Sequence, residues 1–421
     1  MKLKTLYSIA SKSAWARKNS LLLAIFSIAI SMTLLLSVDM VRKQAKTSFL
    51  NTISQTDLIV GARSGPINLL LYSVFRIGNA TNNISYESFE KISDDSRVKW
   101  TIPISLGDSH RGFRVVGTNL DYFKHFKYGD RQTLNFQSGR AFDDLYDAVI
   151  GKEVANKLGY QIGDSIVLSH GTIATDFNAH DDKPFIISGI LEATGTPVDR
   201  SVHVSLEAIE AIHIDWRDGA RSSLKIDAEQ AKKFGLTPQT ITAFMVGLEK
   251  RTQTFIVQRS INNERSEPLL AIIPGSTLAD FWRTLGHFET ILLSVSLLVI
   301  LSGLISMLIM LLSTLNERRR EMAILRAIGA HAYHVVTLFI LETLMILFLG
   351  TLLSIGLLYL LMVIFQPVLL DNYGFAINVQ WLDIQQQGMI LVIFIAGLIF
   401  SLVPGFIAYK NSLQDGLTIK S

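Results

Sequence analysis

Residues 290–330 read TILLSVSLLVILSGLISMLIMLLSTLNERRREMAILRAIGA, an uncharged apolar run that a cationic run follows at once. The apolar part, Thr290–Ser313, exceeds the roughly 20 residues that an α-helix needs to cross a bilayer core of about 30 Å. The part that follows holds Arg318, Arg319, Arg320 and Arg326. Because short basic flanks mark the cytoplasmic side of a membrane protein, this stretch predicts a span that ends in a cytoplasmic segment.

Three further apolar runs have a similar length: Leu21–Val41, Val335–Phe365 and Met389–Tyr409. Their flanks differ in charge, since residues 1–19 hold five basic residues and no acid, whereas residues 366–388 hold two acids and no base. The positive flanks therefore share one side of the membrane. We predict both termini in the cytoplasm and residues 42–288 on the outer side.

The composition of the 421-residue chain agrees with this topology. Hydrophobic residues make up 49% and charged residues only 18%, against about 25% charged in soluble domains, which excludes a soluble enzyme. A net charge of +3 argues against a nucleic-acid partner. The chain has no cysteine, which rules out disulfides, thiolate metal sites and a cysteine nucleophile.

The fold class predicted is therefore an α-helical membrane protein with four transmembrane helices and a large α+β extracytoplasmic domain between the first two. The predicted segments are a cytoplasmic N-terminal segment (1–19), the first span (20–41), the outer domain (42–288), the second span (289–313), a cytoplasmic segment (314–334), the third span (335–365), an outer loop (366–388), the fourth span (389–409) and a cytoplasmic tail (410–421).

The outer domain carries equal numbers of acidic and basic residues, so charge gives no sign of a charged substrate. Short apolar runs predict strands at 57–60, 98–104, 114–117, 148–150, 165–168, 185–191, 243–248 and 269–273, and helices at 86–92, 151–158 and 252–261. This pattern indicates two α/β halves with a strand-rich insert at about 107–215. Ser276–Ser313 has no proline and predicts one continuous helix, with a break near Gly286 as the alternative.

The cytoplasmic segment after the second span predicts a short amphipathic helix at the inner membrane surface. Met322, Leu325 and Gly329 fall near one face of that helix, and Glu317 and Glu321 lie on a more polar side. Anionic lipid would repel these two acids, so they favour a protein partner over lipid headgroups alone.

The run Glu317–Ala330 resembles the coupling-helix signature of the MacB/FtsX/LolC permease superfamily of ABC transporters. Gly189–Val202 resembles the outer domain of these permeases, and 396–408 with Leu417 resembles their last span and tail. The topology of one span, a large outer domain and three spans matches as well. The resemblance implies a MacB-like periplasmic domain and a permease that docks on an ATPase.

The residues that the resemblance assigns to ATPase coupling are Glu317, Arg318, Arg319, Arg320, Glu321, Met322, Leu325, Arg326 and Gly329. The chain contains no G-x-x-x-x-G-K-[ST] motif, so it cannot cradle a nucleotide phosphate itself. The expectation is that this chain holds no catalytic residue, no metal and no cofactor, and that a separate ATPase subunit binds ATP and Mg.

The implied partners are a cytoplasmic ABC ATPase, a second permease chain (identical or related), a periplasmic adaptor or substrate-binding protein, and membrane lipids, with no nucleic acid. The implied location is the bacterial inner membrane, with the large domain periplasmic. The expected function is mechanotransmission for export or extraction of a lipoprotein, lipid, peptide or small toxic compound. The alternatives are an FtsX-like complex that activates an extracytoplasmic hydrolase without transport, and a ligand-sensing receptor.

Single residues add smaller predictions. Glu342 lies within an apolar run, where a structural contact between helices, a coupling role and ion translocation all stay open. Gly397, Ser401, Pro404 and Gly405 predict close packing of the fourth span.

Two stretches of the outer domain carry alternative interpretations. The apolar side chains of one predict either a core helix or a surface that contacts a hydrophobic substrate or partner: Leu69, Leu70, Leu71, Tyr72 and Phe75. The other stretch predicts either a divalent-metal site or a solvated polar loop, and the loose spacing favours the loop: His170, His180, Asp181 and Asp182.

Overall fold

A computed structural model describes residues 17–171, 180–217, 220–221, 226–327, 331–373 and 380–414. The chain divides into two compact units. The first comprises residues 1–44, 286–370 and 377–421, and the second comprises 45–285 with 371–376.

The helices in the described residues follow in chain order: α1 (Lys18–Thr52), α2 (Pro66–Ser73), α3 (Tyr86–Ser93), α4 (Asp121–His125), α5 (Lys152–Leu158), α6 (Leu206–His213), α7 (Ala228–Ala231), α8 (Thr254–Asn262), α9 (Pro274–Ala327), α10 (Ala332–Tyr373) and α11 (Ile384–Gln414). Short 3₁₀ turns lie at Pro197–Arg200 and Arg251–Gln253.

The strands follow in the same way: β1 (Leu58–Ala62), β2 (Ile84–Ser85), β3 (Val98–Ile104), β4 (Asp108–His110), β5 (Phe113–Thr118), β6 (Lys127–Tyr128), β7 (Gln132–Thr133), β8 (Phe136–Gly139), β9 (Asp147–Ile150), β10 (Ser165–Ile166), β11 (Ser169–His170), β12 (Phe185–Leu191), β13 (Ser201–Ser205), β14 (Trp216–Arg217), β15 (Ala220–Arg221), β16 (Thr240–Ile241), β17 (Ala243–Leu248) and β18 (Leu269–Ile272).

Four helices of the described chain are long and apolar enough to cross a membrane: Lys18–Phe49, Pro274–Leu315, Tyr333–Val368 and Ile384–Lys410. Each contains one of the predicted spans. Their shared core is built mainly from aliphatic side chains, methionines and phenylalanines, and Ile28, Met307 and Phe339 are fully buried. The fold class predicted for the membrane part is confirmed.

Helix α9 is unbroken over 54 residues, which confirms the continuous helix predicted across Ser276–Ser313. At 1.5 Å per residue it is about 81 Å long. No proline lies within it after its first residue, and Gly286 and Gly303 do not interrupt it. A glycine inside a helix costs only about 1 kcal/mol relative to alanine, which a helix of this length tolerates.

In the α/β unit, a four-stranded antiparallel sheet has the order β18-β1-β17-β3. Every residue of β1 and β17 is buried, as expected for central strands covered on both faces. Helix α2 crosses β1 at Gly61, where an added Cβ would come within 2.7 Å of Leu69 Cδ1. Glycine is therefore required at the point where this helix packs on the sheet.

A second, mixed sheet has the order β10-β12-β9-β13-β5-β4-β11, with β8 also paired to β12. Its pairs β12/β9 and β13/β5 are parallel and the others antiparallel. All of these strands lie between β3 and β17 in the chain, within the stretch predicted to be an insert. Ser205 caps the start of helix α6, because its side chain accepts a hydrogen bond from the Ala208 amide.

Candidate functional site

The predicted coupling segment is helical in backbone through Ala327, but it is not the separate short helix that was expected. It continues α9, because Glu, Arg, Met, Ala and Leu are strong helix formers and no glycine or proline intervenes before Gly329. The coupling side chains from Glu317 to Arg326, and the whole of Gly329, lie outside the described residues. Their role stays a prediction.

Glu342 is buried in α10 with 1% of its surface exposed. Arg17, which directly precedes α1, approaches it, with Nη2 4.0 Å from Oε1. A carboxylate in an apolar helix is costly unless a cation or hydrogen-bond donors compensate it, and Arg17 supplies such a cation. The sequence marks Glu342 but not its partner, because 325 positions separate the two residues.

A second polar group surrounds Asp39, which is fully buried near the far end of the apolar part of α1. Lys43 Nζ lies 2.8 Å from Asp39 Oδ2, and Gln386 Nε2 donates to the same oxygen at 3.1 Å. Lys43 also reaches Asp383 at 2.6 Å, and Arg42 pairs with Glu289 at 3.4 Å. Asp383, just before α11, and Glu289 on α9 therefore pair with neighbouring residues of α1.

These two polar groups lie on α1 at a separation that fits a membrane. Arg17 and Asp39 are 22 positions apart, or about 33 Å along a helix, against a hydrocarbon core of about 30 Å. The four apolar helices therefore carry partnered charges at both ends of a membrane-sized apolar stretch.

The small residues of the fourth span face α10. A Cβ on Gly397 would lie 2.7 Å from Leu347 Cδ1, and one on Gly405 would lie 3.2 Å from Val336 Cγ1. Ser401 is fully buried and donates to the Leu398 carbonyl within its own helix, and Pro404 is also buried. The contacts of both glycines lie within one chain, between α10 and α11.

Helix α2 and the two residues after it hold the apolar stretch that predicts either a core helix or a substrate surface. Four of these side chains are between 0 and 7% exposed and belong to one hydrophobic core: Leu69, Leu70, Tyr72 and Phe75. Leu71 is half-buried and packs against that core. The surface interpretation is wrong for these side chains, because they fill the space beneath the four-stranded sheet. The core-helix interpretation holds.

The loop histidines behave differently from the prediction. His170 and His180 meet two residues that no sequence motif marks, Asp108 on β4 and His213 at the end of α6. His180 is fully buried, so a solvated polar loop is wrong at this position. No local spacing signals the group, since its members come from four separate segments.

The electrostatics of this group are set by burial and by the carboxylate. Burial lowers the pKa of His180 to about 4, which leaves its imidazole neutral at pH 7. For Asp108, burial alone would raise the pKa, but hydrogen bonds from His170 and His213 hold it below its usual value. Burial by itself would lower the pKa of His213, but the hydrogen bond to Asp108 and the negative charge of that carboxylate raise it above its usual value.

A separate ion-pair group lies close in sequence to His180 and His213 and consists of Lys183, Asp182 and Asp215. Lys183 Nζ lies 2.8 Å from Asp182 Oδ2 and 2.8 Å from Asp215 Oδ1. Asp182 therefore pairs with this lysine.

Four apolar helices, a large α/β unit between the first two of them and a basic segment after the second define a multi-pass membrane protein of permease type. Two family models match it: the MacB-like periplasmic core domain over residues 21–263 and the FtsX-like permease C-terminal region over 293–414. The chain belongs to the MacB/FtsX family of ABC-type permeases, as the sequence resemblance predicted.

Two solved structures are similar to part of this chain. The periplasmic region of MacB from Actinobacillus actinomycetemcomitans is 10% identical, with a TM-score of 0.34 over 55% of this chain and 94% of that one. The extracellular domain of the noncanonic ABC-type transporter YknZ from Gram-positive bacteria is 15% identical, with a TM-score of 0.31 over 52% and 99%. No curated protein sequence matches the chain significantly.

Proposed function

We propose that this chain is the transmembrane subunit of an ABC system that works by mechanotransmission. A separate cytoplasmic ATPase would bind segment 314–334, and the movement it drives would reach the outer domain through α9. The observation that carries this proposal is the unbroken course of α9 from Pro274 to Ala327. One continuous helix contains the end of the outer domain, the second span and most of the predicted coupling segment.

A continuous helix suits this role because its backbone hydrogen bonds make it much stiffer than a loop of the same length. A movement at one end is then delivered at the other rather than absorbed at a hinge. The contacts Arg17–Glu342, Asp39–Gln386 and Lys43–Asp383 support the proposal as well, since they tie α1 and the residue before it to α10 and to the start of α11. The four helices are expected to move as a bundle.

Under this proposal the partner ATPase binds ATP and Mg, and the chain itself hydrolyses nothing. ABC ATPases act as face-to-face pairs, so two permease chains are required, either identical or related. The cationic segments favour a cytoplasmic position for the N-terminus, the coupling segment and the tail. The outer domain is then periplasmic and the membrane is the bacterial inner membrane.

The proposed work is export or extraction of a lipoprotein, lipid, peptide or small toxic compound at the outer face, with or without a periplasmic adaptor. The match to the MacB-like periplasmic core domain over 243 residues favours transport over the FtsX-like regulatory alternative. In that alternative the same movement would activate an extracytoplasmic hydrolase.

The test reverses three charges in the coupling segment: Arg318→Glu, Arg319→Glu and Arg320→Glu together. We expect at least a tenfold loss of binding or stimulation of the ATPase that co-purifies with the wild-type chain, because the anionic segment no longer complements its docking site. Membrane insertion should persist. A matched control reverses Lys2, Lys4 and Lys12, which are predicted to share the same side but lie outside the coupling segment.

Unchanged ATPase coupling in the arginine variant would refute the docking role. Protease mapping gives a second test on the wild-type chain. Cleavage of segment 314–334 from the same side as residues 42–288 would refute the proposed topology.

A further inference from the structure

Three histidines and an aspartate converge at one end of the mixed sheet. Asp108 lies on β4, His170 on β11, His213 in the last turn of α6, and His180 just before β12. One ligand atom from each of Asp108, His180 and His213 lies within 4.8 Å of the others. His170, whose side chain is partly exposed, contacts Asp108 and His213.

The distances in this group match the edges of a small coordination polyhedron. Asp108 Oδ1 lies 3.2 Å from His170 Nδ1 and 3.4 Å from His213 Nε2, and these two nitrogens lie 3.3 Å apart. Zinc binds imidazole nitrogen and carboxylate oxygen at about 2.0–2.1 Å, which gives a tetrahedral edge of about 3.3 Å. Three atoms at mutual distances of this size can share one ion.

The tautomer of His213 points to the same conclusion. Its Nδ1 lies 2.8 Å from the Ile209 carbonyl oxygen, which can only accept, so Nδ1 carries the hydrogen. Nε2 is therefore the ring nitrogen that faces the Asp108 carboxylate, at 3.4 Å, and a cation bound there takes the place of the proton that Nε2 otherwise shares with it. An N–H donated to a backbone carbonyl, with the opposite nitrogen free to ligate, is the usual arrangement of a metal-binding histidine.

His180 provides an independent observation. Its side chain is fully buried, and neither ring nitrogen has a hydrogen-bond partner in the part of the protein that the structure describes. Buried polar atoms are nearly always paired, so an unpaired imidazole beside a carboxylate and a second imidazole indicates a missing ligand. Its ring lies against His213 and Trp216, with ring centroids 5.0 and 4.7 Å away.

We propose that Asp108, His180 and His213, with His170 as the fourth ligand, bind a divalent transition-metal ion of the zinc type. Three imidazoles and one carboxylate suit Zn²⁺ and discriminate against Ca²⁺ and Mg²⁺, which prefer oxygen ligands. The ion would fasten β4, β11 and α6 to the segment that leads into β12. This site is independent of ATPase coupling and departs from the expectation that the chain binds no metal.

The test titrates Zn²⁺ into the full-length chain, purified in detergent and freed of metal by chelation and dialysis, against a competing chromogenic chelator. We expect one ion per chain with a Kd at or below the micromolar range, and a higher melting temperature with Zn²⁺. His180→Ala and Asp108→Asn should each weaken binding at least tenfold. His170→Ala, at a side chain that is 46% exposed, should weaken binding without unfolding the domain.

The matched control is His125→Ala, a histidine of the same unit that stacks on Trp100 outside the group. It should bind Zn²⁺ as the wild type does. Absence of one-to-one binding by the wild type at 100 micromolar Zn²⁺ would overturn the proposal. Equal affinity in the wild type and in His170→Ala, with both folded in chelator, would overturn it as well, because it would assign the zinc to adventitious surface sites.

Discussion

Replacing Lys183 by methionine tests how strongly a buried ion pair constrains the outer domain. The side chains of Lys183 and Asp215 are both 0% exposed, and Nζ lies 2.8 Å from Asp215 Oδ1. Methionine keeps the length of the side chain and removes its charge. Asp215 then stays buried without a cation, and Asp215 Oδ2 already has no hydrogen-bond partner among the described residues.

The expected cost follows from that uncompensated carboxylate. Removing one partner of a buried ion pair destabilises a protein by about 3–5 kcal/mol. For a domain of this size, about 1 kcal/mol shifts the melting temperature by roughly 2–4 °C, so a fall of roughly 6–20 °C is expected. Thermal unfolding of the full-length chain in detergent measures it, with a chelator present so that metal binding does not contribute.

Two comparisons make the result interpretable. Lys91→Met removes a lysine whose pair with Glu264 is also 2.8 Å long but whose side chain is 62% exposed, so it should change the melting temperature far less. Lys183→Met combined with Asp215→Leu removes both charges and should recover most of the loss. A single Lys183→Met variant that melts within about 2 °C of the wild type would show that this pair does not carry the proposed energy.

Two further predictions concern pH and helix packing. Burial, with the nearby charge of Arg76, lowers the pKa of His203 to about 3, so between pH 6.5 and 3 the unfolded chain holds a proton that the folded chain lacks. The free energy of unfolding should therefore decrease as the pH is lowered, and this histidine should account for roughly 2 kcal/mol of the decrease between pH 7 and 5. Denaturant unfolding of His203→Asn should show a pH dependence smaller by that amount. A pH dependence equal to that of the wild type would contradict the prediction. Gly397→Leu should destabilise the detergent-solubilised helices by about 1–3 kcal/mol, because even its Cβ would lie 2.7 Å from Leu347 Cδ1. The control is Gly356→Leu, whose side chain enters open space. Equal melting of these two variants would refute the packing.

Much of the local structure could be predicted from residue patterns. The predicted strands at 98–104, 185–191 and 243–248 have the bounds that the structure shows, and Gly159 ends α5 in the left-handed conformation at φ 71°. Strand and helix periods repeat over a few residues, so a short window contains the signal. The main errors, a separate coupling helix and a solvated His180 loop, concern how elements continue or come together.

The sequence by itself determined the four membrane spans, the charge asymmetry of their flanks and the family, because each depends on residues that are close in the chain. Only the tertiary structure decided that Arg17 approaches Glu342, that α2 is core, and that Asp108 meets His180 and His213. Those contacts join residues up to 325 positions apart. They depend on the order in which strands pair and helices pack, and no short stretch of sequence specifies that order.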